Sequence, residues 1–111
     1  MSVYENIFAL VRAIPTGKVT SYGMIAEALQ IAGGARQVGW AMNQAHTAEP
    51  YVPAHRVVNR KGFLSGKLHF GEPTRMQELL EAEGITIIDD QIQDLATHLW
   101  QIDDMIRIVD N

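Results

Sequence analysis

Residues 21–45 read SYGMIAEALQIAGGARQVGWAMNQA. Ser21 is a good helix N-cap, because its hydroxyl can accept a hydrogen bond from an N–H of the first turn. Met24, Ile25, Ala28 and Leu29 recur at helical spacing, which predicts a helix from Tyr22 to about Leu29. Gly33-Gly34 makes a turn. A further helix is expected from about Ala35 to Ala45, with Val38, Ala41, Met42 and Ala45 facing inward. Arg36, Trp40 and Asn43, spaced i, i+4, i+7, share its outward face. Two short helices about a tight glycine turn are the outline of a helix-turn-helix. Many helical hairpins have that outline, so spacing alone leaves the reading open.

On the N-terminal side, Val3, Ile7, Leu10, Val11 and Ile14, with Phe8 beside them, predict a buried first helix that stops at Pro15-Thr16-Gly17. On the other side, residues 46–72 are punctuated by Pro50, Pro53, Gly62, Gly66 and Gly71 and read as loop-rich. Binding residues tend to sit in such segments. This one also holds a short buried run, Arg56-Val57-Val58. Pro73 suits the first turn of a fourth helix that carries Met76, Leu79, Leu80 and Glu83, with Gly84 as its stop. Residues 85–88 read as a short strand. Ile92, Leu95, Ala96, Leu99, Ile102 and Ile106 fit one stripe of a last helix.

A chain of 111 residues is a single-domain length. Hydrophobic residues at 47% against charged residues at 20% indicate a globular chain rather than a disordered one. Its apolar runs are too short to span a bilayer. The start MSVYENIFAL has no basic region ahead of an apolar one, so no secretory signal is expected. A cytoplasmic monomer is expected. The chain has no cysteine, which removes a disulfide, a thiolate nucleophile and a cysteine-based zinc site. His46, His55, His69 and His98 lie far apart in sequence, and neither a metal site nor a cofactor is expected.

The net charge of −4 is unevenly placed. Residues 1–67 hold seven Lys/Arg and three Glu, a balance of +4, whereas residues 68–111 hold two Arg and ten Asp/Glu, a balance of −8. A basic front with an acidic tail suggests a face for a polyanion. Two solvated faces of opposite sign would give the same count.

Four segments together carry a more specific message: IPTGKVTSYGMIAEAL (14–29), ARQVGWAM (35–42), VPAHRVVNRKGFLSG (52–66) and LLEAEGI (79–85). In this order and spacing they resemble the DNA-binding catalytic domain of the O6-alkylguanine-DNA alkyltransferases. The resemblance spans about residues 3–88. It implies a mostly α fold with short β, a winged-helix-like helix-turn-helix domain over 1–88. The acidic extension over 89–111 lies outside the resemblance and is expected to belong to the same domain. The family's reactive motif is Pro-Cys-His-Arg-Val, and here the stretch reads Pro53-Ala54-His55-Arg56-Val57. Alkyl transfer needs a thiolate to attack the alkyl carbon, and alanine has no lone pair. The chain therefore resembles the alkyltransferase-like group, which binds alkylated guanine in DNA without repairing it and hands it to nucleotide excision repair. Many members carry tryptophan where Ala54 stands, so alanine implies a roomier pocket.

The resemblance also implies roles. Tyr22 presses on the phosphate beside the target nucleotide and helps rotate it out. Arg36 fills the gap left in the stack, with Gln37, Trp40 and Asn43 on the same DNA-facing helix. Val52, Pro53, Ala54, Val57 and Ser65 line the lesion pocket, and Lys67 senses the electrostatic surface of the base. His55 and Glu83 match the family's proton relay and are expected to persist as buried hydrogen bonding rather than catalysis. The implied partner is double-stranded DNA containing O6-alkylguanine, with nucleotide excision repair proteins downstream. Trp40 departs from the family's usual small residue and suits a groove wall, a partner or the tail equally well. Two other readings stand beside this one. The first is a small helix-turn-helix regulator without lesion specificity. The second is an enzyme with a new activity in the vacated pocket, for which no nucleophile or metal set is present.

Overall fold

The computed structural model describes residues 2–110, apart from the side chains of residues 102 and 108–110. Helix α1 (Val3–Arg12) is capped by the Ser2 hydroxyl, which accepts from the Glu5 N–H, and it buries Ile7, Leu10 and Val11. Strand β1 (Thr20–Ser21) runs directly into α2 (Tyr22–Leu29), with the Ser21 hydroxyl accepting from the Met24 N–H at 3.1 Å. The chain leaves α2 through Gln30 in the left-handed conformation, and Ile31 N–H donates back to the Ala26 carbonyl. Gly33, at φ 90°, then sets the chain for α3 (Gly34–Gln44), a conformation a β-carbon would strain. α2 and α3 pack on one another as the expected helix-turn-helix. Val38, Ala41 and Met42 of α3 are buried, and Ala45 just beyond it is buried too.

Single-turn 3-10 helices follow at Ala45–Thr47, Ala54–Arg56 and Lys67–Phe70. Strand β2 (Val57–Val58) pairs in parallel with β1, Thr20 opposite Val57 and Ser21 opposite Val58. Successive residues of a strand point to opposite faces. Val57 accordingly joins one apolar cluster with Ile7, Leu10, Ile25 and Val38, while Val58 joins a second with Val19, Met76, Leu80 and Ile85. The short β1–β2 pair is thus the partition between two small cores.

Helix α4 (Arg75–Glu81) is shorter than expected. Pro73 precedes its Thr74 cap, and Glu83 lies beyond its C-cap, Ala82. The strand expected at 85–88 is confined to β3 (Ile87–Ile88), which forms a hairpin with β4 (Gln91–Ile92). Asp89 and Asp90 make the two-residue turn with φ of 52° and 63°, the pair of positive values that matches the twist of a hairpin. The hairpin docks on residues 62–64, where Leu64 N–H donates to the Asp90 carbonyl and Ile92 N–H to that of Gly62.

The single last helix expected from the stripe Ile92 to Ile106 is not present. Its residues serve β4, a short α5 (Leu95–His98) and α6 (Ile102–Asp110). The break comes at Leu99, which is extended (φ −73°, ψ 126°) because it lies alongside Val19. Val19 N–H donates to the His98 carbonyl and Trp100 N–H to the Val19 carbonyl, so the backbone bonds that would continue a helix go elsewhere. Trp100 and Met105 enter the first core, with α6 against α2 and α1. The Ile102 side chain lies outside the described residues. No described helix is long and apolar enough to cross a membrane.

Candidate nucleic-acid interface and base pocket

On α3, Arg36, Trp40 and Asn43 point outward as their spacing requires, and Trp40 is 53% exposed. Arg36 makes no ion pair among the described residues. Gln37 is half-buried and faces a groove shared with Val3 and Leu29, away from that stripe. Asn43 also reaches the edge of the cavity beside Ala54.

Tyr22 opens α2 at the end of the β1–β2 pair, so the register that sets Ser21 opposite Val58 also fixes where its ring begins. Its hydroxyl lies 3.0 Å from where a β-carbon on Gly66 would sit, so Gly66 gives way to the phenol. Burial raises the Tyr22 pKa, partly offset by a hydrogen bond with Ser65. The group is a neutral donor near pH 7.

Ala54 and His55 lie in a buried 3-10 turn behind Pro53. His55 Nε2 is 2.6 Å from Glu83 Oε2. The same carboxylate receives Arg56 Nε at 3.1 Å and Nη2 at 2.9 Å, and Gly17 N–H donates to its other oxygen at 2.8 Å. Arg56 extends the clamp to the loop after α1, donating to the Ile14 carbonyl and to Thr16 Oγ1. Burial pushes the Glu83 carboxyl upward, but the bonds from Arg56, Gly17 and His55 outweigh it and hold the group below its ordinary value. Burial lowers the His55 pKa against the pull of Glu83, and Arg56 and Arg75 add to the lowering. The geometry of the His55–Glu83 contact alone would allow an ion pair. Because Arg56 already neutralises the carboxylate, we assign His55 as neutral, with Nε2–H donating to Glu83. Its Nδ1 is then a bare acceptor, buried and without a partner among the described residues.

The expected pocket residues are only partly brought together. Ala54 and Val57 line a cavity of about 10 Å³, room for roughly one water molecule. The space freed by a small side chain at position 54 is not left open: Met42, Met76, Phe70 and His46 close around it. Val52 lines a separate, neighbouring cleft. Pro53 is buried behind the turn, and Ser65 stands exposed beside Tyr22. Lys67 does not face the cavity, because its Nζ is 2.6 Å from Asp90 Oδ2 in the hairpin turn. Sequence reasoning missed the cavity walls His46, His69 and Phe70, which sit in single-turn 3-10 helices too short to show a periodicity. It also missed Arg56, whose place directly after His55 was the available signal. Among the described residues, no three His, Asp or Glu side chains gather as metal ligands.

Residues 2–85 match the family model for the 6-O-methylguanine DNA methyltransferase DNA-binding domain. Alkyltransferase-like protein 1 of Schizosaccharomyces pombe is 35% identical over 102 residues, which cover 88% of this chain and 94% of that protein. A methylated-DNA–protein-cysteine methyltransferase of Salmonella typhimurium is 40% identical over 84 residues, covering 76% of this chain and 47% of that enzyme. The crystal structure of S. pombe Atl1 in complex with damaged DNA containing O6-carboxymethylguanine superposes with a TM-score of 0.73, again covering 88% and 94% of the two chains. That of Mycobacterium tuberculosis OGT in complex with DNA gives 0.61 at 37% identity, over 75% of this chain and 50% of the other. The chain spans about half the length of these methyltransferases and nearly all of the alkyltransferase-like protein. With the helix-turn-helix and the His55–Glu83–Arg56 clamp in place, the chain belongs to the family of the 6-O-methylguanine DNA methyltransferase DNA-binding domain, on its cysteine-free, alkyltransferase-like side.

Proposed function

We propose that this protein recognises O6-alkylguanine in duplex DNA, turns the damaged nucleotide toward Ala54, and takes up no alkyl group. One observation carries the reading: the clamp of His55, Glu83 and Arg56 is intact around a turn whose leading residue is Ala54, in a chain with no cysteine at all. A methyl side chain cannot displace an alkyl group from oxygen. The scaffold that would present the base remains, and the chemistry that would repair it is gone. The lesion therefore outlasts binding, and its removal falls to nucleotide excision repair proteins that the bound complex marks out.

In this reading Tyr22 presses on the phosphate flanking the lesion, and Arg36 occupies the vacated place in the stack, where its planar guanidinium can stack and donate. Trp40 and Asn43 contact the groove along the same stripe, whereas Gln37 turns away from it toward Val3 and Leu29. Val52, Pro53, Val57 and Ser65 frame the base, and Lys67 reaches it once it leaves Asp90. Extrusion costs a few kcal/mol, less for a damaged pair. O6-alkylation removes the N1 hydrogen and weakens pairing with cytosine, so discrimination begins before the pocket is reached. The test is a titration of one duplex with and without a single O6-methylguanine, followed by intact-mass measurement. The reading expects tighter binding to the lesion and an unchanged protein mass. Equal binding would favour a regulator without lesion specificity, and a gain of one methyl group would overturn the non-enzymatic reading.

A further inference from the structure

A cleft of about 260 Å³ opens beside the small cavity at Ala54. His46, His69 and Phe70 line both spaces, so these three side chains form their common wall. His46 meets the Phe70 ring edge-on, with centroids 4.5 Å apart. Such a contact is weak enough to open when a base enters. On the far side of the wall stand Tyr51 and Arg75, with Val52 and Leu79 as an apolar flank.

The lining is chemically one-sided. It offers two imidazoles, a guanidinium and a phenol, and no carboxylate. In a chain of net charge −4, a cleft of this size without a single acidic wall is a local reversal of sign. We propose that this cleft receives the far end of the O6 substituent of a guanine held at Ala54, and that it selects substituents ending in a carboxylate over neutral ones of the same shape. The proposal rests on the lesion-recognition reading and specifies its substrate class.

Three observations converge on it. The cavity at Ala54 holds about 10 Å³, room for roughly one water, so a base brought to Ala54 opens the shared wall and the substituent it carries needs the volume beyond it. The cleft behind that wall supplies it, with Val52 and Leu79 to cover a methylene chain and Arg75 to meet its charged end. A guanidinium pairs with a carboxylate through two parallel N–H donors. His46, faced by His69, Phe70, Tyr51 and Arg75, is held neutral, by burial first and by His69 second. No acidic side chain in the cleft's lining competes with an entering carboxylate for Arg75.

The experiment uses the full chain and four duplexes differing at one guanine: unmodified, O6-methyl, O6-carboxypropyl, and O6-isohexyl, the neutral isostere of the third. The carboxypropyl adduct should bind about tenfold more tightly than the isohexyl adduct, as expected for one charge-assisted pair. Arg75→Gln should abolish that preference while leaving O6-methylguanine binding unchanged. Arg75 is exposed, so the variant should fold normally. Carboxypropyl and isohexyl adducts that bind alike, or a preference that survives Arg75→Gln, would overturn the assignment of the cleft and leave lesion recognition standing. Arg75→Gln weakening every duplex equally, the unmodified one included, would make Arg75 a backbone-phosphate contact and also overturn it. Failure to prefer any adduct over unmodified DNA would instead remove the underlying reading.

Discussion

Lys67 Nζ lies 2.6 Å from Asp90 Oδ2, joining the start of the Lys67–Phe70 3-10 helix to the tip of the β3–β4 hairpin. Both side chains are about a third or more exposed, so the pair adds no more than about 1 kcal/mol to stability. Its larger effect is on where the cation points and how much of its charge DNA can feel. Asp90→Asn should leave the melting temperature nearly unchanged and strengthen binding to all duplexes. Each added phosphate contact steepens the salt dependence by about 0.9. From an expected slope of roughly −3 to −5 for a small interface, the variant should move by about one. An unaltered slope would mean that Lys67 contributes nothing to DNA in either state.

Glu83→Gln should be strongly destabilising, by about 3–5 kcal/mol, because it leaves the half-buried Arg56 without its counter-charge. The natural protein should also lose stability in acid in two stages. His55 has a folded pKa below its ordinary 6.5, so the unfolded chain takes up the proton first and stability falls as pH drops below 6.5. His46, also lowered, acts in the same direction. Glu83 has a folded value below 4.5, so its contribution is present above that pH and is lost as pH falls through the folded value. Denaturation curves between pH 8 and pH 3 check both, and Glu83→Gln should remove the second stage and, by taking away the pull of Glu83 on His55, enlarge the first.

Gly66→Ala would place a β-carbon 3.0 Å from the Tyr22 hydroxyl. The phenol, at the far end of its side chain, is expected to shift, because the β-carbon would come closer to it than such contacts normally allow. Lesion-duplex affinity should fall about tenfold, the low end of an overpacking penalty. Tyr22→Phe, which keeps the ring in place, should bind nearly normally. Equal losses in the two variants would assign the effect to the hydroxyl rather than to ring position.

Arg36→Ala should weaken binding to lesion duplex more than to a single strand carrying the same lesion, because only the duplex has a stack to refill. Trp40, on the same stripe, is exposed at 53%, whereas Trp100 is 7% exposed. A change in tryptophan emission on DNA binding therefore reports on α3. Its absence in a Trp40→Phe variant would assign the signal to that helix.

Ala54→Trp tests the pocket's location. The cavity beside Ala54 has room for about one water, so an indole must displace Phe70 or a methionine, costing about 1–3 kcal/mol. Affinity for O6-benzylguanine duplex should fall by about ten- to hundredfold, and that for O6-methylguanine by less. An unchanged ratio between the two adducts would mean that position 54 does not border the site.

The first three helices were legible because each has a single apolar stripe at helical spacing and a cap or stop at its ends. The C-terminal quarter was not, because Ile92, Leu95, Leu99 and Ile106 fall on one stripe by spacing, yet Leu99 is drawn into an extended bridge by Val19, 80 positions earlier. No local pattern encodes that partner. The buried hydrogen bond between His55 and Glu83 was legible through ordered motifs. The cavity's walls were not: His46 and Phe70 meet only in three dimensions, and the hairpin turn that holds Lys67 is itself non-local. The Asp89-Asp90 turn carried a sequence signal, acidic residues tolerant of the left-handed region, that was read as part of an acidic tail.

The bridge from Val19 to Leu99 and Trp100 has a consequence for the order in which the protein is made. Val19 leads into the strand that orients Tyr22, and its backbone N–H and carbonyl are bonded to His98 and Trp100. During synthesis every motif of the site emerges from the ribosome before those partners do. A nascent chain arrested near residue 90 would carry all the residues of the base pocket but not the lock that sets them, and Trp100 and Met105 would be missing from the first core. Competence to engage DNA should therefore arrive late and abruptly, with the closing of the C-terminal segment, rather than grow as the helix-turn-helix is extruded.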